Sequence, residues 1–285
     1  MHPAQLIASA ARRLTKAGCP SGQADARLLL RYVTGDDPIE LLTRRTIDCD
    51  QQEAFQRLID QRCRMVPIQH LTQRAYFRHV TVKVGPGVFI PRPETETVAG
   101  EAIASIEGIS HPRFIEFCAG SGAIAKSICH ENAAASGIAI EKSPQAYAYL
   151  EENVASLPIT ALCQDLSDPL PDGWEEVDLI VANPPYIPGV DIDILPDDVR
   201  YHDPHMALFA KDKGLYFYPI LADLAHRYLR EGGYLICEHG DDQAGDVCAI
   251  WEDRGLIDIV SHQDLTGRDR YVSARRPPRR ERGEA

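Results

Sequence analysis

The most chemically specific feature of the sequence is a short run that follows a continuous apolar segment, Asn183-Pro184-Pro185-Tyr186. A planar amide or aromatic amine is a poor nucleophile because its nitrogen lone pair is delocalised. The side-chain oxygen of Asn183 and a backbone carbonyl can each accept one N–H of such a group, which orients the nitrogen and localises its lone pair. The two prolines stiffen the loop and remove competing donors. Tyr186 offers a flat face against which the planar group packs.

This run predicts group transfer to a planar nitrogen. Asn183, Pro184 and Tyr186 are the candidate catalytic residues, and the whole run with Pro185 is the candidate substrate-binding segment. The alternative interpretation is a proline-rich turn without a chemical role.

A second group of residues is typical of a pocket for a nucleotide-like ligand. Small residues let a loop pass close to a ligand, and the helix that follows adds a favourable dipole; the segment is Glu116-Phe117-Cys118-Ala119-Gly120-Ser121-Gly122. Glu141 comes 19 residues after Gly122 and can accept both hydroxyls of a ribose. Asp165 follows the next strand pattern. Taken singly, the glycines could form only a tight turn, and Glu141 could be a solvated carboxylate.

The elements that must position these residues alternate between strand and helix patterns from residue 113 onward. Continuous or alternating apolar runs predict strands at 113–118, 137–140, 159–163, 177–182, 234–237, 257–261 and 270–274. Helical patterns separate them, including one over 216–229 that ends at Gly232-Gly233. Such alternation predicts an α/β fold with a doubly wound, mostly parallel sheet.

The chain before this sheet has a different pattern. Apolar residues at helical spacing predict a small helical domain over 1–73, and alternation between Phe77 and Val84 predicts a β-hairpin and linker over 74–92. The sheet domain then covers 93–276. The segment 277–285 is rich in proline, arginine and glutamate, which predicts a disordered tail.

Composition excludes several function classes. The chain has 285 residues, of which 44 % are hydrophobic and 25 % charged, as in globular proteins. No apolar run approaches the roughly 18 residues of a membrane span. Eight cysteines without a CxxC pair, and histidines without metal-ligand spacing, favour a reduced cytoplasmic protein with no metal site.

Charge is distributed unevenly. The net charge is −12, but residues 1–88 carry 13 basic and 8 acidic side chains, whereas residues 89–274 carry 12 and 32. A nucleic-acid enzyme would need a basic surface around Asn183, so direct nucleic-acid binding is disfavoured.

The chain resembles the release factor glutamine methyltransferases, the HemK/PrmC family, from about residue 10 to 275. The resemblance rests on an interdomain segment and on four later motifs in the family's order: Pro67-Ile68-Gln69-His70-Leu71, Phe89-Ile90-Pro91-Arg92-Pro93-Glu94-Thr95-Glu96, Asn183-Pro184-Pro185-Tyr186-Ile187, Glu238-His239-Gly240 with Gln243, and Asp264-Leu265-Thr266-Gly267-Arg268-Asp269-Arg270.

The resemblance implies a class I S-adenosylmethionine-dependent (Rossmann-like) methyltransferase domain and a helical domain that grips the substrate. The methyl group would pass from S-adenosyl-L-methionine to the side-chain amide of the glutamine in the GGQ motif of class I peptide chain release factors. The implied cofactor-binding residues are Phe89, Glu116, Cys118, Ala119, Gly120, Ser121, Gly122, Glu141, Asp165, Leu166 and Asn183. Cys118 stands where the family has glycine, so it is strained if its φ is positive.

Other interpretations stay open at this point. The same chemistry could act on a glutamine of a ribosomal protein. The chain could also be a catalytically weakened homologue that binds a translation factor without turnover.

Overall fold

The computed structural model describes residues 1–195 and 197–278. Of the predicted disordered tail, 277–285, residues 279–285 therefore lie outside the described residues. Two compact units are present. The first comprises Met1–Arg74 with the short helix α9 (Asp197–His202), and the second comprises Ala75–Leu195 with the chain from Asp203 onward.

The first unit is helical, as predicted for the N-terminal part of the chain. Its consecutive helices are α1 (Pro3–Lys16), α2 (Gly22–Thr34), α3 (Pro38–Thr43), α4 (Cys49–Arg62) and α5 (Ile68–Thr72). Helix α2 ends because Gly35 adopts a left-handed φ of 73°, and a capping box from Asp37 starts α3. Apolar side chains at helical spacing form the core of this unit, among them Leu14, Leu29, Leu30, Phe55 and Ile59.

One ion pair is buried inside this helical unit. The Arg62 guanidinium lies 2.8 Å from the Asp25 carboxylate, and both side chains are about nine-tenths buried. Arg62 also donates to the Val66 carbonyl at 3.1 Å. The pair links α2 to the end of α4, and neither charge has another charged partner in the described contacts.

The second unit begins with the predicted hairpin and continues as an α/β sheet domain. The strands are β1 (Arg74–Phe77), β2 (Val80–Lys83), β3 (Arg113–Phe117), β4 (Ser136–Glu141), β5 (Ile159–Cys163), β6 (Val177–Ala182), β7 (Ile187–Pro188), β8 (Phe209–Ala210), β9 (Leu229–Glu238), β10 (Ile257–Gln263) and β11 (Asp269–Arg275). The remaining helices are α6 (Thr95–Ser105), α7 (Ala123–Glu131), α8 (Pro144–Val154), α10 (His205–Leu208), α11 (Phe217–Tyr228) and α12 (Ala244–Asp253).

Among the described residues, seven strands form the main sheet, in the order β10-β11-β9-β6-β3-β4-β5. The neighbours from β9 to β5 pair in parallel, and β11 pairs antiparallel with both β9 and β10. Apolar clusters cover both faces, as expected for a doubly wound sheet. This is the class I S-adenosylmethionine methyltransferase fold.

The register aligns the ends of the central strands. Phe117 of β3 pairs with Ile140 of β4 and with Ala182 of β6, and Ala182 pairs with Cys237 of β9. The next residue on each strand is therefore Cys118, Glu141, Asn183 or Glu238. Because parallel strands end at one edge, these four positions lie in one row.

The structure corrects the predicted start of the fifth parallel strand. Helix α11 ends at Tyr228, and β9 runs from Leu229 through Gly232 and Gly233 instead of starting at Tyr234. Gly232 has a φ of 71°, and a register shift occurs opposite it between Val177 and Leu179. The glycine pair therefore forms a strand irregularity and is not a helix stop.

None of the helices in the described part of the chain is both long and apolar enough to cross a membrane.

We expect Arg62→Met to lower the free energy of unfolding of the helical unit by about 3 kcal/mol, because it leaves Asp25 buried and unpaired. Urea unfolding followed by far-ultraviolet circular dichroism measures this change. Arg57→Met is the matched control, since the Arg57–Glu53 pair is exposed and is worth under about 1 kcal/mol. Equal losses in the two variants would contradict this account of the buried pair.

Candidate functional site

A cavity of about 340 Å³ opens at the carboxyl ends of the parallel strands in the second unit. Its lining contains most of the residues that the sequence singled out: Phe89, Glu116, Cys118, Ala119, Gly120, Ser121, Glu141, Asp165, Leu166, Asn183, Pro185 and Tyr186. Gly122 and Pro184 each follow a lining residue in the sequence, but they do not line the cavity themselves. The two candidate groups from the sequence therefore meet in one space.

The loop after β3 adopts the backbone conformation that small residues favour. Cys118, Gly120 and Gly122 all have positive φ, at 55°, 54° and 75°. Only glycine takes this region without a steric cost, so the Cys118 backbone is strained. Gly122 is required for packing, because a Cβ there would lie 2.6 Å from a Leu150 methyl group.

Glu141 is tied to this loop at the end of β4. One carboxylate oxygen accepts the Gly120 backbone N–H at 2.8 Å, and the other accepts that of Ser143 at 2.7 Å. The carboxylate is therefore held at the rim of the cavity by two backbone donors, with lone pairs left for a ligand.

Asp165 lies at the neighbouring strand end. A hydrogen bond from Lys142, with Nζ 2.8 Å from the carboxylate, is the main reason that the pKa of Asp165 falls to about 2. The Ser167 hydroxyl and backbone N–H donate to its other oxygen at 2.7 and 2.9 Å. Asp165 is consequently an ionised acceptor at neutral pH, beside the buried side chain of Leu166.

Glu116 has a different environment. The side chain is 2 % exposed, and burial raises its pKa to about 8 although the backbone N–H of Ala125 donates to it at 2.8 Å. Ala125 lies in the first turn of α7, so Glu116 satisfies one of the unpaired donors at this helix end. Its position fixes the helix behind the loop.

Asn183 is oriented by a residue distant in sequence. The amide nitrogen Nδ2 donates to the hydroxyl oxygen of Thr95 at 3.2 Å. The remaining polar atom of the amide, Oδ1, is an acceptor and is not part of that hydrogen bond. Because Asn183 lines the cavity, it can offer this acceptor to an N–H donor.

Tyr186 forms hydrogen bonds through both its backbone carbonyl and its hydroxyl group. Gln243 Nε2 donates to the Tyr186 carbonyl at 2.9 Å, and the Tyr186 hydroxyl donates to Glu238 at 3.2 Å. Burial raises the pKa of the Tyr186 hydroxyl well above its usual value. Gly214 (φ 89°) leaves room for this arrangement, since a Cβ there would lie 2.1 Å from the Tyr186 carbonyl oxygen.

Glu238 is the buried acid behind the substrate loop. It is 2 % exposed, and burial raises its pKa to about 7 against the opposing effects of Thr95, Arg270 and Tyr186. Arg270 is itself paired with the buried Asp264 at 3.2 Å. These groups connect the carboxyl end of β9 to the start of β11.

The sequence analysis did not assign Thr95, Glu238, Gln243 or Arg270 to the site. All four lie in motifs that carry the family resemblance, which was the available signal. The hydrogen bonds of Thr95, Glu238 and Gln243 join segments from 52 to 88 positions apart, and no local sequence pattern indicates such pairings.

Phe89 is another residue of the cavity lining. The Arg92 guanidinium lies over its ring, 5.1 Å from the centroid, and forms an ion pair with the buried Asp203. Pro204 and Met206, which follow Asp203, also line the cavity. The Arg92–Asp203 pair therefore joins the segment around Phe89 to the segment after α9.

Among the described residues, no group of three or more His, Cys, Asp or Glu side chains is arranged to hold a metal ion. The cavity instead combines an apolar lining with acidic acceptors at its rim and the Asn183 amide. This arrangement can bind a hydroxyl-bearing, nucleoside-like molecule next to a planar N–H donor.

Known proteins resemble nearly the whole chain. A family model described as "PrmC N-terminal domain" matches residues 5–72, and one described as "Conserved hypothetical protein 95" matches residues 77–203. A Streptomyces coelicolor protein named release factor glutamine methyltransferase is 39 % identical over 95 % of this chain and 96 % of its own length. A Mycolicibacterium smegmatis protein of the same name is 38 % identical with the same coverage.

The chain belongs to the release factor glutamine methyltransferase family. Identity of this level over nearly the full length of both chains decides the point, and the chain is a methyltransferase. The solved structure of the hMettl16 catalytic domain in complex with MAT2A 3'UTR hairpin 6 shares the fold, with a TM-score of 0.53 at 14 % identity over 69 % of this chain and 78 % of that chain.

The raised pKa of Glu116 predicts a pH dependence of stability. The folded protein holds this proton up to about pH 8, whereas an unfolded glutamate releases it near pH 4.5. The contribution of Glu116 to the free energy of unfolding is therefore complete below about pH 4.5, and it is lost as the pH rises through 8. Glu116→Gln keeps an acceptor for Ala125 and cannot ionise.

We expect the unfolding free energy of Glu116→Gln, relative to wild type, to increase by about 3 kcal/mol between pH 5.5 and 8.5. Tryptophan fluorescence in urea measures this, since both Trp174 and Trp251 lie in the second unit. The exposed Glu107→Gln is the control. A difference that does not vary with pH would contradict burial of a titrating Glu116.

Proposed function

We propose that this protein transfers a methyl group from S-adenosyl-L-methionine to the side-chain amide nitrogen of the glutamine in the GGQ motif of class I peptide chain release factors. The observation that carries the proposal is the arrangement of Asn183. Its amide nitrogen is occupied by Thr95, and its oxygen is available as an acceptor in the same cavity as the strained loop after β3.

The residues of the cavity fit S-adenosyl-L-methionine. A Cβ on Gly120 would meet no atom within 4 Å, so the loop leaves open space on the cavity side where the methionine part would lie. Glu141 would accept the ribose hydroxyls, Asp165 and Leu166 would bind the adenine side, and Phe89 would lie near the methyl donor. When bound, the cofactor supplies a methyl group on a sulfonium, which is a good leaving group.

The protein's own contribution is positioning. Asn183 Oδ1 accepts one N–H of the substrate amide, and a backbone carbonyl of the loop accepts the other, so that the nitrogen lone pair faces the methyl donor. Pro184 and Pro185 keep the loop rigid, and Tyr186 packs against the planar amide. Orientation of this kind is worth a large part of the rate enhancement.

No general base is required before transfer. The methylated amide nitrogen releases its proton to water after the carbon–nitrogen bond forms. Glu238 does not line the cavity, and its carboxylate accepts the hydrogen bond of the Tyr186 hydroxyl. We place the reaction in the cytoplasm, where the scattered, unpaired cysteines fit a reducing environment.

The test uses methyl-labelled S-adenosyl-L-methionine with an unmethylated class I release factor and with the same factor carrying Gln→Ala in its GGQ motif. Label on the first factor alone supports the proposal. Label on neither, with cofactor binding intact, would contradict the release factor substrate and favour a glutamine of a ribosomal protein. Absence of both label and cofactor binding would favour a weakened homologue, with Cys118 as its cause.

We expect Asn183→Ala to lower kcat for methylation by about 100-fold, because the acceptor that orients the amide is lost. The affinity for S-adenosyl-L-methionine, measured by calorimetry, should fall far less than kcat, since Asn183 is one of many residues that the resemblance assigns to cofactor binding. Asn132→Ala, which removes an amide outside the cavity, is the matched control. Turnover by Asn183→Ala near the wild-type rate would contradict the role given to Asn183.

A further inference from the structure

The side chain of Asn153 connects two parts of the cavity wall without lining the cavity itself. Asn153 lies in the last turn of α8 and is 7 % exposed. Its Oδ1 accepts the Lys83 backbone N–H at 2.7 Å, and its Nδ2 donates to the carbonyl oxygens of Lys83 and Ser121, both at 2.9 Å. Both amide hydrogens and the amide oxygen therefore have a backbone partner, so these contacts fix the orientation of the side chain.

The contact with Ser121 fixes the loop after β3. Ser121 belongs to this loop and lines the cavity. The next residue, Gly122, packs closely on the same helix, since a Cβ there would lie 2.6 Å from Leu150 and 3.3 Å from Val154. The hydrogen bond from Asn153 therefore ties the loop to α8 beside an apolar contact that already requires glycine.

The contacts with Lys83 fix a second part of the wall, the linker segment, residues 83–89. Gly87 and Phe89 of this segment line the cavity. The turn before Phe89 depends on Gly87, whose φ is 94°. Where Phe89 lies therefore depends on where the segment begins, and Asn153 holds that beginning through two hydrogen bonds to the Lys83 backbone.

One face of α8 guides the linker segment toward the cavity. Asn153, Tyr149 and Gln145 are spaced four residues apart, so their side chains share a face of the helix. A Cβ on Gly85 would overlap the Tyr149 hydroxyl, and a Cβ on Gly87 would lie 2.9 Å from Gln145 Oε1. The segment is therefore packed along successive turns of α8, and Asn153 supplies the hydrogen bonds at its β2 end.

We propose that Asn153 is a positioning residue for the cofactor. It holds the loop after β3 and the linker segment at fixed places on α8, so that both fit the same molecule of S-adenosyl-L-methionine. Segments that are ordered before binding need not be ordered by the ligand, which raises its affinity. This inference rests on the proposed function, from which it takes the cofactor, and it does not depend on which protein accepts the methyl group.

The test measures binding of S-adenosyl-L-homocysteine by calorimetry, at a temperature at which circular dichroism shows each variant to be fully folded. Asn153→Ala should raise Kd at least about tenfold, because both segments lose their common support. The matched control is Glu152→Gln, which removes only the exposed ion pair between the same helix and the Lys83 side chain. This control should keep Kd within about twofold of wild type.

A second control separates positioning from a general loss of stability. Val247 is buried in α12 outside the cavity lining, so Val247→Ala lowers the free energy of unfolding without touching either segment. It should leave Kd unchanged. If Asn153→Ala does not fold, Asn153→Asp replaces it, since a carboxyl group offers at most one donor where the amide offers two.

Coupling to Phe89 tests the role of the linker segment. Phe89→Ala should raise Kd by a factor at least about threefold larger in the wild-type protein than in Asn153→Ala, because Phe89 is already displaced in that variant. A loss of stability alone would not produce this coupling.

The results that would overturn the inference are distinguishable from failure of the proposed function. If the wild-type protein does not bind S-adenosyl-L-homocysteine, the proposed function fails and this inference fails with it. If the wild-type protein binds and a folded Asn153 variant binds equally tightly, the role of Asn153 is wrong and the proposed function stands. An equal rise in Kd for Val247→Ala, or independent effects of Asn153→Ala and Phe89→Ala, would also contradict the inference.

Discussion

The parallel register of four strands is the constraint on which the site depends. Pairing of Phe117 with Ile140 and Ala182, and of Ala182 with Cys237, brings the next residue of each strand to one edge of the sheet. A shift of one residue in any pairing would move that strand's side chains to the opposite face. The loop after β3 and the loop after β6 are therefore neighbours because their strands are.

The same register places one buried carboxyl group in the lining of the cavity, Glu116, and a second outside the lining, Glu238. Glu116 and Glu238 are each 2 % exposed, and burial raises the pKa of both. Ionising such groups inside a protein costs stability. Each carboxyl group holds a neighbouring part of the site in place: Glu116 binds the start of α7, and Glu238 binds the Tyr186 hydroxyl.

The positive φ of Cys118 is a second local cost. The loop needs left-handed backbone to turn closely from β3 into α7, and cysteine takes that conformation with strain that glycine would not have. The side chain, in return, packs against the apolar cluster on one face of the sheet. A cysteine at this position is strained because the backbone there has a positive φ.

Much of the fold follows from the sequence because its signals are local. Continuous apolar runs identified the parallel strands, and small residues or Asn183 directly after them identified two sides of one cavity. The family resemblance also named the family correctly. The predicted start of the strand containing Gly232 was wrong, because a glycine pair is typical both of a helix end and of a strand irregularity. Only the pairing with β6 distinguishes these two possibilities.

Residues that act through long-range contacts could not be assigned in this way. Thr95 and Glu238 reach Asn183 and Tyr186 only after the sheet and α6 have assembled, and nothing in their neighbouring sequence specifies those partners. Gly122 and Pro184 show the reverse case. Their motifs placed them at the site, whereas they support the loops from outside the cavity lining.

A crystal structure of this protein with S-adenosyl-L-homocysteine and a release factor carrying an unmethylated GGQ motif tests the central claim most directly. The account predicts that the glutamine amide lies in the cavity with an N–H directed at Asn183 Oδ1, while Asn183 Nδ2 stays on Thr95 and the amide nitrogen faces the sulfur. A glutamine outside this cavity, or an amide that approaches Asn183 through its oxygen, would contradict the account.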